Sequence, residues 1–330
     1  MTAQPLSPAA TGVHRVYVGV SDFGPTVRVF RDALGWQVCD LHEICASDAR
    51  RVWRVDAPAE VLTLSPARGC PTGAIDLLRF STLDIPARGA PPMAAFGHMA
   101  ISLYVRDIEA AVSAVERVGG RLAGSIAKGS VPRGKDGFMD ALGARVSVGD
   151  FNVLLIETAQ PRETWMRARY PDWRSSEINF MLYRTPLLDE LLDWWGPAGV
   201  GLPIAHSTPI GNESISFTYG AAPGLHQQIG VTANPEPVRL ELQGPDNSLG
   251  EAPDVASDRR PFQRPGQALG PVLWRVVLPS PPESFSAWAG SRGLQVRERP
   301  RRLVSEHFQG RRIGIVTGPG DFDVQLEVPL

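Results

Sequence analysis

Apolar residues alternate with polar ones in four short runs, and each run is followed by a helix-like stretch. The runs are Val13-His14-Arg15-Val16-Tyr17-Val18-Gly19-Val20, His98-Met99-Ala100-Ile101-Ser102-Leu103-Tyr104-Val105, Ile178-Asn179-Phe180-Met181-Leu182-Tyr183 and Leu273-Trp274-Arg275-Val276-Val277-Leu278. A period of two places successive side chains on opposite faces of a strand. After the first run, Asp22 can cap a helix over Pro25 to Leu34, with Val27, Phe30 and Leu34 on one side and Gly35 past its end. After the second, Asp107 can cap a helix over Ile108 to Val118, followed by Gly119-Gly120. Thr185-Pro186 opens a third helix that runs through Trp195, and Pro281-Pro282 opens a fourth that runs through Ala289.

Further strand-like runs fall at 36–42, 50–56, 60–65 and 74–80, and the apolar run Phe151 to Ile156 closes the second unit. The third unit has runs at 203–208, 213–219 and 237–242, and the fourth at 294–300, 311–317 and 322–328. Each unit closes on an acid: Asp76, Glu157, Glu241 and Glu327. The recurrence, at intervals of about 80–95 residues, predicts four copies of one β-α-β-β-β module, an α+β architecture. Linkers are expected at 81–96, 158–176 and 244–270, the last rich in Pro, Gly and Asp and, at 27 residues, of a length usual for lids, binding loops or disordered segments.

Parity separates the faces of the opening strands. Val16, Val18 and Val20 form the side that packs on the helix, so Arg15 and Tyr17 face away from it. His14 shares the helix-side parity unless a bulge rotates it. In the second strand Met99, Ile101, Leu103 and Val105 face the helix, leaving His98, Ala100, Ser102 and Tyr104 on the other side. Arg15, Tyr17 and Ser102, with Tyr104, are therefore candidates to line a small-molecule pocket, because a guanidinium offers a fixed fork to a carboxylate and aromatics offer flat apolar area.

With 330 residues, 43% hydrophobic and 21% charged, the chain has the composition of a folded protein, long enough for two domains. A net charge of -2 gives no electrostatic reason for nucleic acid or an anionic membrane as partner. No apolar run approaches the ~18 residues of a membrane span. Three cysteines without a CxxC spacing suit a reducing compartment, and Met1 to Gly12 lacks the pattern of a signal peptide, so the expected location is cytoplasmic. Phosphate-loop, dinucleotide, HExxH and GxSxG motifs are absent from the sequence.

The segment Val16-Tyr17-Val18-Gly19-Val20-Ser21-Asp22 with Phe30-Arg31-Asp32-Ala33-Leu34-Gly35-Trp36 resembles the opening signature of the vicinal oxygen chelate superfamily, the glyoxalase, bleomycin-resistance and extradiol-dioxygenase group. Phe96-Gly97-His98-Met99-Ala100-Ile101 through Asp107-Ile108-Glu109-Ala110-Ala111 is similar to that group's second-module opening. The resemblance implies a flexible N-terminus at 1–12, a glyoxalase-like domain at 13–160, a linker at 161–176 and a second such domain at 177–330. It also implies a divalent metal (Zn, Ni, Mn or Fe), with His14, Asp76, His98 and Glu157 as ligands, and Glu157 and Tyr104 as catalytic groups. The implied activity is that of a metal-assisted lyase or isomerase acting on a small oxygenated metabolite. An Fe(II) extradiol-type dioxygenase and a metal-free binder or acid–base enzyme of the same fold stand as alternatives, and a homodimer stays open. Glu241 and Glu327 lack a histidine on their opening strands, so the C-terminal half reads as a metal-free partner.

Overall fold

The structure, a computed structural model, describes residues 12–70, 72–81, 97–132, 138–149, 151–159, 164–185, 187–210, 227–232, 239–245, 270–278, 284–319 and 323–329. The expected strand at 213–219, nearly all of the 244–270 linker, His226 and Pro281-Pro282 lie outside these residues.

The first module contains β1 (Gly12–Gly19), α1 (Phe23–Val27), β2 (Gln37–Ile44), α2 (Ala46–Trp53), β3 (Ala59–Ser65) and β4 (Ala74–Phe80). Helix α1 continues as a π-helical turn, Arg28–Ala33. The second module contains β5 (Gly97–Val105), α3 (Ile108–Arg117), β6 (Arg121–Leu122), β7 (Ala127–Pro132), β8 (Phe138–Val148) and β9 (Phe151–Thr158). Helix α4 (Trp165–Arg169) leads to the third module, with β10 (Ser175–Arg184), α5 (Leu188–Trp195), β11 (Ile204–Ile210), β12 (Gln227–Thr232) and β13 (Arg239–Pro245). The fourth contains β14 (Gly270–Val277), α6 (Phe285–Gly290), β15 (Gln295–Arg301), a 3-10 turn at Glu306–Phe308, β16 (Arg311–Thr317) and β17 (Asp323–Pro329).

The expected caps are in place. Asp22 accepts from the Gly24 N–H at 3.0 Å and Asp107 from the Ala110 N–H at 2.9 Å, each satisfying a helix-start donor. The strand expected at 50–56 is instead α2, which ends at Arg54 in the left-handed region, φ 60°. Ala49, Val52 and Trp53 share one face at the i, i+3, i+4 spacing, and that face is buried. Burial against the sheet thus selects helix over the extended form expected at 50–56.

Two mixed sheets form, and the modules pair in a nested way. The first runs β15-β16-β17-β14-β1-β4-β3-β2 and joins the first module to the fourth. The second runs β11-β12-β13-β10-β5-β9-β8-β6, joining the second to the third, with β7 alongside β8. Each joint is an antiparallel pair of opening strands, β1 with β14 and β5 with β10. Helical residues from the four modules and one face of each sheet share a single buried cluster that includes Val16, Phe30, Ile101, Val115, Leu191, Trp195, Val276 and Trp288. The fold class is therefore α+β, as expected. No helix among the described residues is long and apolar enough to cross a membrane.

Candidate functional site

The faces of the two sheets turned away from the helices differ in what they carry. On the first sheet this face is filled. Tyr17, Trp53, Phe80, Phe308, Ile313 and Ile315 form a second apolar cluster with α2. Trp53 meets Tyr17 edge-on, with ring centroids 5.4 Å apart.

Asp76 is fully buried beneath this cluster. Its Oδ1 accepts from Thr63 Oγ1 at 2.7 Å and from Arg15 Nη1 at 3.2 Å. Its Oδ2 lies 3.7 Å from His307 Nε2, which in turn is 2.9 Å from the Tyr17 hydroxyl. Arg15, its side chain 30% exposed, is the member of the group that reaches solvent. Glu327 is likewise engaged, by Arg311 Nη1 at 3.0 Å and Gln325 Nε2 at 3.4 Å. These carboxylates are neutralised from within.

A divalent metal needs three or more donors within about 2.0–2.2 Å of one point, so its ligands must sit side by side on one face. The register tests this directly. The middle row of the first sheet reads Ala74, Arg15, Arg275, Gln325, and the next contains Asp76, Tyr17, Leu273. In the second sheet the corresponding rows are Asn152, Ala100, Leu182, Glu241 and Leu154, Ser102, Phe180, Arg239. None of these rows holds two carboxylate or imidazole groups, and no group of three His, Cys, Asp or Glu among the described residues could hold a metal. On the first sheet a guanidinium stands beside Asp76 where a cation would bind, so the described residues do not fit the metal that the resemblance implied.

The sequence-derived ligand set is split. His14 and Asp76 lie on the first sheet, His98 and Glu157 on the second. The β1–β14 register slips between Val13 and Arg15, so His14 is an extra residue there, and its carbonyl accepts from the Gly73 N–H at 2.8 Å. His98 is opposite Tyr183 at the end of the β5–β10 ladder. Glu157 shares the parity of Val153 and Leu155, on the helix side, and its Oε2 accepts from the Ile108 N–H at 2.7 Å at the start of α3. Of the pocket candidates, Arg15 and Tyr17 come together, whereas Ser102 and Tyr104 line the second sheet.

The second sheet's face is polar at its margins and apolar at its centre. Leu182, Ala100, Phe180 and Leu154 make the centre, flanked by Glu241 and Gln243 on one side and Asn152 and Arg145 on the other. Among the described residues, Ser102 Oγ, Gln243 Oε1 and Arg145 Nε on this face are buried without a hydrogen-bond partner. Such atoms are costly to leave unmade, so several on one face point to a missing bonding partner. Gln243 Nε2 donates to Glu241 Oε1 at 2.7 Å. Glu241 is half-buried, yet burial pushes its carboxyl up to about 7, against the hydrogen bond from Gln243 and the charge of Arg239, which lower it. Burial also lowers the Arg145 guanidinium, and no carboxylate among the described residues offsets this. Gln243 and Arg145 were missed in the sequence, although extending the parity of Glu241 by two residues reaches Gln243.

Over nearly its whole length the architecture superposes on two-domain glyoxalase-like structures. A variant of glyoxalase I from Zea mays matches with a TM-score of 0.61 at 13% identity, covering 96% of this chain and 93% of that one. The chain adopts the vicinal oxygen chelate fold. A candidate dioxygenase from Bacillus subtilis shares the vicinal oxygen chelate fold with it at a TM-score of 0.57 and 10% identity, covering 98% of this chain and 86% of that one. At these identities the likeness carries the fold alone. No protein-family model and no curated protein sequence matches the chain.

Proposed function

We propose that this vicinal-oxygen-chelate-fold protein is a metal-independent acid–base enzyme that handles a small oxygenated organic molecule on the helix-free face of its second sheet. The observation that carries this reading is that three unpartnered polar atoms and a carboxyl poised near neutrality belong to one face of one sheet. A general acid–base group works best when its pKa lies near the operating pH. In this reading Glu241 exchanges the proton, while Gln243 orients its carboxylate and offers Oε1 to a substrate hydroxyl. Phe180 and Leu154 seat the apolar part, and Ser102 and Arg145 take up substrate oxygens. The metal-assisted lyase and the Fe(II) dioxygenase both need a donor set that the strand rows do not supply.

Two measurements test it. One equivalent of Zn, Ni, Mn or Fe(II), added to chelator-treated protein, is expected to leave Tm unchanged. A metal-dependent rise lost in His98→Ala or Asp76→Ala would restore the metal reading, since a ligand that binds only the folded state stabilises it.

The second concerns pH. The Glu241 carboxyl is raised in the folded state, so the proton is held more tightly there than in the unfolded chain. The stability this gives is complete below about pH 4.5, the ordinary carboxyl value, and is lost as pH rises toward about 7. Glu241→Gln should remove that pH-dependent loss, which amounts to about 3 kcal/mol across the window. Chemical denaturation at steps from pH 4.5 to 8 checks this. Parallel curves for the two proteins would refute the assignment of Glu241.

A further inference from the structure

On the helix side of the first two modules lies a cleft of about 490 Å³, within the range of about 300–1,000 Å³ usual for small-molecule sites. Ala111 and Ala114 on α3 give it a low apolar lining, Trp173 lines it beside them, and Arg106, Arg117 and Arg174 surround them. Each guanidinium carries five N–H donors in a planar fork. In the protein Arg106 Nη1 donates to the Pro171 carbonyl at 3.1 Å, Arg117 Nε to the Ser113 carbonyl at 3.3 Å and Arg174 Nη1 to the Asp32 carbonyl at 3.4 Å. Most of each fork is left over.

The acids around the cleft are largely committed elsewhere. Asp32 is held by Arg31 through Nε at 2.7 Å and Nη2 at 3.1 Å, and Asp107 caps α3. Asp107 keeps its charge as a cap, so Asp107 and Asp172 stand against three arginines. Gly35, at φ +81°, leaves room for the Arg174 stem, since a Cβ there would come within 3.3 Å of Arg174 Cδ. Arg174 thus has its stem seated while its charged end lines the cleft.

We propose that this cleft binds a small organic anion with two or more negative charges, a polycarboxylate or a phosphate ester. Bidentate Arg pairing with carboxylate or phosphate provides the recognition, and the alanines with Trp173 accommodate the carbon skeleton. The site is separate from Glu241 and does not depend on its role.

The test is calorimetric titration of the full chain with citrate and with inorganic phosphate at low ionic strength. Saturable one-to-one binding of either anion is expected, weakening with added salt. Arg117→Gln and Arg174→Gln should each weaken it about tenfold, the scale of a lost charged hydrogen bond, while Glu241→Gln leaves it unchanged. The tighter of the two anions identifies the class. Both arginines are exposed, so unfolding curves of the variants should match the parent. Absence of saturable binding by both anions, or full-strength binding by the double arginine variant, overturns the site.

Discussion

Trp53→Ala is expected to lower the unfolding free energy by about 3–5 kcal/mol, the scale of deleting a large buried aromatic. Trp53 is 1% exposed, and its ring lies edge-on to Tyr17 and to Phe80, the latter at 5.8 Å, and tilted to Phe308 at 6.1 Å. Helix α2 has only 8 residues, too few to stand by propensity, so its apolar face holds it in place. Removing the indole opens a void under the helix and loosens the cover over Asp76 and His307. The indole N–H has no partner, so Trp53→Phe should cost less, under about 2 kcal/mol. Urea unfolding of the two variants measures both, and a loss below about 1 kcal/mol for Trp53→Ala would mean that the filled face contributes little to stability.

Gly73→Ala should cost about 3 kcal/mol for a different reason. Gly73 has φ +75°, where a side chain is strained, and a Cβ there would lie 2.8 Å from Glu177 Cβ and 2.9 Å from the Ile178 nitrogen. The residue stitches the sheets together, because its N–H donates to the His14 carbonyl at 2.8 Å and its carbonyl accepts from the Ile178 N–H at 3.3 Å. By contrast, Gly69, also at positive φ, has open space around its Cβ position, so Gly69→Ala should cost only the backbone strain. Equal losses for the two variants, measured by thermal unfolding, would show that the close approach at Gly73 carries no weight.

The modules were legible because their signals are local. Asp22 and Asp107 announce helices by capping, and strand parity sets Arg15 and Tyr17 on the side away from the helix, where both lie beside Asp76. Residues 50–56 were misread because Val52-Trp53 is too short an apolar pair to separate a strand from a buried helix, and only Ala49 completes the helical spacing. The nested pairing was not legible. Periodicity reports which face of a strand is buried, but it does not say which distant strand lies beside it. For the same reason His14, Asp76, His98 and Glu157 fall within one expected domain along the chain and are divided between two sheets. Glu241 and Gln243 stood out too little because their significance rests on burial and unpaired atoms, which the residue types alone do not disclose.

Nested pairing also orders assembly in time. The second sheet uses strands from β5 to β13, all of which have left the ribosome by Pro245, whereas the first needs β1 at Gly12 and β17 at Pro329. During synthesis the inner pair of modules can close while β1 still waits for β14, and the entropy of closing that loop grows only slowly with its length. The topology therefore allows this protein to be built from the middle outward, and a chain cut short before β14 leaves β1 an unpaired edge, the kind that invites aggregation.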